Sequence, residues 1–344
     1  MAAAGAEGTF AASPLSSWLS AQLGCRGPFR LVPLSGGNSN DTRMVVGDAG
    51  QWLLRRPPRT IIAPTANNLE REYRVLAALA GSGVPVPRVI AYTADPAVTP
   101  TPCLLMELAG GAPLLAEWPA GWSAPPGALR SAGISAIEAL AALHAVDWRA
   151  AGLGDFGRPQ GYLARQVSRW RAQYERNQVR DLPLFEQLSS WLEGNRPAEV
   201  APALIHGDYH LDNCLFVEGP PVRVSAIIDW ELSTIGDPLV DLGLLLAFWG
   251  PDRPPLPAMP RVQALSRGPE APSRRALADH YSQVTGRDTG GLSFYMTLAF
   301  FKLAAIVEGA YASFLAGQAD SGYARALADD VPRLLQEAAG FADL

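Results

Sequence analysis

The chain has 344 residues, of which 48% are hydrophobic and 18% charged, with a formal net charge of −5. That composition is globular and long enough for two lobes, and it lacks the clustered basic surface of a general nucleic-acid binder. Three widely separated cysteines, Cys25, Cys103 and Cys214, argue against a disulfide framework or a thiolate zinc site and fit a reducing compartment.

Met1–Ser13 has neither the basic start nor the continuous apolar stretch of a signal peptide. No uncharged apolar run reaches about 18 residues, and Phe294–Ile306, interrupted by Lys302, reads as a buried helix. The expectation is a cytoplasmic protein with no membrane span and no nucleic-acid partner; a homodimer is left open.

A short helix is expected around Leu15–Leu23, then strands at Phe29–Leu34, Thr42–Val46 and Gln51–Arg55. The turn Ser35-Gly36-Gly37-Asn38-Ser39-Asn40-Asp41 separates the first two, and Gly47-Asp48-Ala49-Gly50 is a hairpin turn between the others. Leu69, Tyr73, Leu76 and Leu79 share helical spacing over 67–80, an extended segment follows at Pro85 and Pro87, and Cys103–Glu107 is a further strand. Beyond it the chain turns mainly helical, with helices at Ser131–His144, Gly161–Glu175, 273–285, 292–316 and 321–338, and a proline-rich loop at 251–272. The fold class is α+β: a small antiparallel-sheet lobe over 1–108 and a larger, mainly helical lobe over 109–344.

Two short apolar strands, Ala203–Ile205 and Val224–Ile228, interrupt the helices, and each runs into polar residues. The first leads into His206-Gly207-Asp208-Tyr209-His210-Leu211-Asp212-Asn213, the second into Asp229-Trp230-Glu231. Neighbouring strand ends can present Asp208, Asn213 and Asp229 to one cleft. Phosphoryl transfer needs such a set: a carboxylate to orient the attacking hydroxyl and take its proton, and oxygen ligands to hold magnesium against a triphosphate. Asp-x-x-x-x-Asn followed by a strand-end Asp is the protein-kinase arrangement of base and metal ligands.

These residues, with Gly236-Asp237-Pro238-Leu239-Val240-Asp241 and Gly152–Pro159, resemble the aminoglycoside phosphotransferase and choline kinase superfamily. The resemblance runs from about residue 29 to about 318 and is strongest to the phosphotransferase subgroup fused to some acyl-CoA dehydrogenases. It implies a two-lobed, protein-kinase-like fold using ATP and Mg2+ to phosphorylate a hydroxyl of a small molecule. By the same resemblance Asp208 is the catalytic base, His206 orients its loop, and Asn213 and Asp229 are the magnesium ligands. Asp237 and Asp241 are expected to support the metal-binding segment. Gly36, Gly37, Asn38, Ser39 and Asn40 correspond to the phosphate loop, and the adenine is expected at backbone near Glu107 and Ala109.

Many kinases place a lysine on the third strand, but the only lysine here is Lys302, in a late helix. Arg55 stands at the matching place, and an arginine binds phosphate bidentately and stays charged. Strand phase favours Arg55 over Arg56 for the inward position, and Glu72 is its expected partner; the competing reading is a surface pair between Glu70 and Arg74. The acceptor is expected against the helical lobe and the loop at 251–272. An anionic acceptor, a hydroxy acid or hydroxyacyl thioester, calls for arginines such as Arg165, Arg169 or Arg171. A cationic, aminoglycoside-like one calls for Glu231 or Glu308. Two other readings compete: a catalytically inactive binding module, and a metallohydrolase using His206, Asp208 and His210. On the kinase reading His210 and Asp212 are solvated loop residues.

Overall fold

The structure is a computed structural model that describes residues 9–10, 13–34, 41–57, 69–250, 252–254, 256–318 and 322–344. Strands β1 (Thr9–Phe10), β2 (Phe29–Pro33), β3 (Asp41–Gly47), β4 (Gly50–Arg56), β5 (Val89–Thr93) and β6 (Cys103–Glu107) form one sheet. Its order is β1-β2-β3-β4-β6-β5, and every pair is antiparallel. The β3–β4 hairpin closes with Gly47 opposite Gly50, as the turn residues predict.

Alternation along β6 shows why the sheet needs cover on both faces. Cys103 and Leu105 join Phe29, Val45, Leu54 and Leu19, the last from α1 (Pro14–Leu23). Leu104 and Met106, pointing the other way, join Leu69, Val75 and Leu76 of α2 (Leu69–Leu79). Four successive buried residues make β6 read as a plain apolar run, and a helix on each face explains it.

The remaining chain holds helices α3 (Ala128–His144), α4 (Tyr162–Asn177), α5 (Pro183–Gly194), α6 (Leu239–Phe248), α7 (Arg274–Thr285), α8 (Leu292–Leu315) and α9 (Gly322–Ala342). Helix α8 is long and apolar enough to span a membrane by composition, yet its first four turns are largely buried beneath α4, α6 and α9. Helix α6 is absent from the sequence-based expectation because it is apolar on all sides: Leu242, Leu244, Leu245 and Leu246 are all buried, so no helical period stands out. Gly243 lets α6 approach α8, since a Cβ there would lie 2.8 Å from the Tyr295 carbonyl carbon.

Short strands set into this lobe position the loops of interest. β8 (Ala203–Ile205) pairs with β11 (Thr234–Gly236). β9 (Cys214–Val217) lies between β10 (Arg223–Ile227) and β7 (Ala112–Pro113). Residues 206–213 leave β8 and residues 228–233 leave β10, and the pairing brings the two loops side by side.

Glu308 does not face a cleft. Its buried carboxylate accepts from Arg180 at 2.9 and 3.1 Å and from the Val179 N–H at 3.4 Å, tying the α4–α5 connection to α8. It is therefore no candidate for binding a cationic acceptor. Glu308→Ala should cost about 3 kcal/mol by urea unfolding, the lower end of the range for breaking a buried pair because Arg180 keeps some solvent contact. A loss below about 0.5 kcal/mol, typical of surface substitutions, would contradict this role.

Candidate active site

The loop after β8 is held from below by one carboxylate. Asp241, in the first turn of α6, accepts the His206 N–H at 2.6 Å and the Gly207 N–H at 2.8 Å. Behind it, His144 Nε2 lies 3.3 Å from Asp241 Oδ2, and the Tyr281 hydroxyl donates to His144 Nδ1 at 2.7 Å. Burial lowers the His144 pKa against the opposing pull of Asp241, so a neutral ring relays the contact. Asp237 accepts from the Tyr295 hydroxyl at 2.8 Å and the Leu239 N–H at 3.0 Å. The support from Asp241 thus falls on the loop that carries Asp208 and Asn213.

Gly207 takes a positive φ of 84°, and a Cβ there would collide with the Leu232 carbonyl oxygen, so the position requires glycine. His206 is fully buried; its Nδ1 accepts the Asp208 N–H at 3.3 Å and its Nε2 donates to the Ile228 carbonyl at 2.9 Å. Burial lowers its pKa. The ring is a spacer between the two loops. With both nitrogens engaged it has no lone pair for a metal, and the metallohydrolase arrangement loses its first ligand.

Asp208 emerges partly exposed at the end of this support. Asn213 Nδ2 donates to its carbonyl at 2.9 Å and its Oδ2 at 3.2 Å, His210 Nε2 lies 3.5 Å from Oδ2, and Lys302 Nζ lies 3.9 Å from Oδ1. Burial alone would raise the Asp208 pKa; the His210 hydrogen bond and the charges of His210 and Lys302 outweigh it, so the carboxyl sits below its ordinary value and is ionised. His210 and Asp212 are half-buried and bonded rather than free loop residues: His210 packs against Asp208 and Asn213, and Asp212 accepts the Gln263 N–H at 3.1 Å. Gln263 also accepts the Leu211 N–H at 2.8 Å. The proline-rich loop therefore braces the Asp208 loop from behind.

Asn213 and Asp229 are joined through the Ile228 N–H, which donates to the Asn213 carbonyl at 2.9 Å. Asp229 adopts a left-handed conformation, φ 66° and ψ 62°, uncommon outside glycine but accessible to aspartate. Trp230 anchors that turn, buried with its indole N–H on the Ile227 carbonyl at 2.9 Å. The Asp229 carboxylate lies 3.4 Å from Arg55 Nη2, and Arg55 also bonds directly to Glu72, whose side chain is buried. Arg56 turns instead to Asp41 at 2.9 Å, and Arg74 pairs with Asp155, not Glu70. The strand-phase expectation holds: Arg55 and Glu72 form the inward pair.

Gly36, Gly37, Asn38, Ser39 and Asn40 lie outside the described residues. Glu107 ends β6 with its N–H on the Arg88 carbonyl at 2.9 Å and its side chain paired to Arg88 at 2.5 Å; Ala109 follows, half-buried.

Among the described residues, no three His, Cys, Asp or Glu side chains gather into a metal cage. Asn213 has its amide nitrogen committed to Asp208, which leaves Oδ1 as the atom that would meet a metal, with the Asp229 carboxylate as the other expected donor. Two hard oxygen donors without a full cage fit magnesium, which is commonly bound by one or two carboxylates plus substrate phosphates.

Beside this site lies a cavity of about 380 Å³ between α4, α6, α8 and residues 231–234. Gly207 and Lys302, both in contact with the Asp208 loop, form one wall; Arg71, Arg158, Arg165 and Arg169 contribute the others, and Glu231 is the carboxylate among the lining residues. Arg165 bonds to the carbonyls of Arg158 and Gln160, and Arg71 to that of Ser233. Arg171 lies elsewhere, in exposed pairs with Glu175 and Glu186. No described residue of the 251–272 loop lines this cavity.

An antiparallel-sheet lobe, a helical lobe, and an Asp–Asn–Asp set on adjoining loops define a kinase-like phosphotransferase fold. The profile of the phosphotransferase enzyme family matches residues 30–277, and the chain belongs to that family. The crystal structure of a Ralstonia eutropha protein, provisionally named an aminoglycoside phosphotransferase, is 31% identical with a TM-score of 0.79, covering 96% of this chain and 97% of that one. A macrolide 2'-phosphotransferase from Brachybacterium faecium is 25% identical with a TM-score of 0.59, covering 91% and 96%. Among curated relatives, acyl-CoA dehydrogenase family member 11 of Gallus gallus is 36% identical over 83% of this chain. The chain spans only about a third of that protein's length (37%).

Burial raises the Glu72 pKa to about 7; Arg55 pulls it down, while Asp229 and Glu231 push it further up. A carboxyl whose folded pKa exceeds its unfolded value contributes stability that is full below the unfolded pKa and lost as pH rises through the folded one. Between pH 4.5 and 7 the wild type should therefore lose, relative to Glu72→Gln, on the order of 3 kcal/mol. Parallel urea titrations of the two proteins across that window test it; a constant difference would contradict the assignment.

Proposed function

We propose that this chain is an ATP- and magnesium-dependent kinase that phosphorylates a hydroxyl of an anionic small molecule, a hydroxy acid or hydroxyacyl thioester in preference to an aminoglycoside. The observation that carries this reading is the cavity beside Asp208, where four arginines and one lysine face one carboxylate, Glu231. An aminoglycoside carries several ammonium groups and would meet like charge there; a carboxylate or phosphate would meet guanidinium forks. Among the described residues, no carboxylate forms an ion pair with Arg158 or Arg169, and Arg169 rests instead over the Trp170 ring at 4.7 Å.

In this reading the nucleotide-binding lobe is 1–108 and the catalytic lobe 109–344, in a cytoplasmic enzyme. The acceptor hydroxyl lies against ionised Asp208, which orients it and takes its proton as the γ-phosphoryl is attacked in line. Arg55, fixed by Glu72, holds nucleotide phosphate from the sheet lobe. When bound, magnesium on Asn213 and Asp229 supplies charge neutralisation of the triphosphate. His206 and Asp241 act earlier, by fixing where Asp208 points; positioning of this kind carries most of the rate in phosphoryl transfer. Asp208, Asn213 and Asp229 are all present in the sequence, whereas an inactive binding module is expected to have lost a base or metal-ligand residue, which supports an enzyme.

The reading is tested by an ATP-consumption screen over hydroxy acids, hydroxyacyl-CoAs, aminoglycosides and choline-like alcohols. Turnover confined to the amines would sink the anionic assignment. With the best acceptor, Asp208→Asn should lower kcat by roughly 10²–10⁴-fold; near-normal turnover would remove Asp208 as the base. Arg158→Ala with Arg169→Ala should raise the acceptor KM by roughly tenfold or more, the loss of a charge-assisted contact, and leave the KM for ATP unchanged.

A further inference from the structure

Lys302 is the only lysine in the chain, and its surroundings are unusual for an ammonium. It sits midway along α8 with Phe300, Phe301, Ala304 and Ala305, all buried. A charge taken out of water in such a place is retained only where something uses it. Nζ donates to the Gly207 carbonyl at 2.7 Å, lies 3.9 Å from Asp208 Oδ1, and stands 5.8 Å from the Trp170 ring centroid. An ammonium has three donors, and one carbonyl with one distant carboxylate does not exhaust them. The side chain also lines the cavity.

Its position is complementary to that of Arg55. Arg55 comes from the sheet lobe and touches Asp229; Lys302 comes from the helical lobe and stands beside Asp208. The two cations come from different lobes, one beside the proposed metal ligand Asp229 and the other beside the proposed base. Arg55 stands where many kinases carry their lysine, and the chain's one lysine instead lies within reach of any atom bound to Asp208.

We propose that Lys302 is a phosphoryl-binding residue on the acceptor side of Asp208, where it neutralises the group being transferred. The inference rests on the phosphotransfer reading of the site and deepens it. In the step, the acceptor oxygen forms a bond to the γ-phosphorus while the bond from that phosphorus to the β,γ-bridging oxygen breaks. The bonding pair leaves with ADP, and the hydroxyl proton passes to Asp208. Lys302 keeps its protons throughout; it contributes charge where the three equatorial oxygens gather theirs. The alternative is that Lys302 only anchors the Gly207 carbonyl.

The test needs no knowledge of the acceptor, because orthovanadate with MgADP mimics the phosphoryl group in flight. MgADP affinity is measured with and without vanadate for the full-length wild type, Lys302→Met and Lys302→Gln. The expected result is that vanadate tightens MgADP binding to the wild type, and that both variants lose this tightening by roughly tenfold or more while binding MgADP alone as the wild type does. Lys302→Gln keeps a donor for the Gly207 carbonyl, so an anchoring role would survive in it, and retained tightening there would overturn the proposal. Should Lys302→Met fail to fold, Lys302→Gln carries the comparison alone. Wild-type protein that binds MgADP without any response to vanadate would also overturn the proposal. Wild-type protein that binds no MgADP would remove the phosphotransfer reading itself, and this inference with it.

Discussion

The Asp241 carboxylate is the constraint from which the site is built. Two consecutive backbone N–H groups, of His206 and Gly207, converge on it, and they can do so only because Gly207 takes a positive φ against the Leu232 carbonyl. Once that turn is set, the direction of the next residue, Asp208, is no longer free. His206 then joins the turn to the Ile228 carbonyl, so the loop carrying the proposed base and the loop carrying Asp229 move together. Hydrogen bonds to a buried carboxylate are among the stronger ones available to a fold, because unpaired donors or charge there would be costly. The wide spacing of these residues in the chain is no obstacle: β8 pairs with β11, and α6 follows within three residues of it.

A second constraint couples the two lobes. Glu72 on α2 is buried and engaged by Arg55, which also reaches Asp229 at 3.4 Å. Arg55 thus contacts both the helix that covers the sheet and the loop that carries a proposed metal ligand. Arginine suits this bridging because its planar fork presents donors in more than one direction, where an ammonium would act as a point charge. The replacement of the strand lysine is therefore more than a tolerated substitution: the geometry uses the extra donors.

How much of this could be read in advance depended on whether the signal was local. β3, β4 and β6 alternate or run apolar between clear turns, and their bounds were legible to within a residue or two. Asp208 and Asp229 stood out because each follows an apolar strand closely, and Asn213 because it closes the polar loop that Asp208 opens. Helix α6 was not legible, since uniform burial erases the period that identifies a helix. The Tyr281–His144–Asp241 relay joins residues far apart in the chain, and no spacing rule connects them. Gln263 was hidden for a different reason: a proline-rich stretch looks like a surface loop, yet one amide from it satisfies the Leu211 N–H beneath Asp208.

The same distinction separates what the site does from what it acts on. The residues proposed for transfer lie on strand ends and tight turns, where backbone geometry limits the residues allowed, and so they leave a pattern. The cavity proposed for the acceptor is walled largely by side chains of α4 and α8 that face inward from ordinary helices. Arg165 and Arg169 line it and Arg171 does not, although all three lie on one helix with unremarkable spacing. A helix turns 100° per residue, so small differences in position decide which guanidinium meets an acceptor and which meets water. Changing those few side chains would alter the charge of the cavity without disturbing Asp241, Gly207 or the loop they hold. A single phosphoryl-transfer scaffold can on that account serve acceptors of opposite charge, and the sign of the acceptor is to be sought on α4, not in the motif.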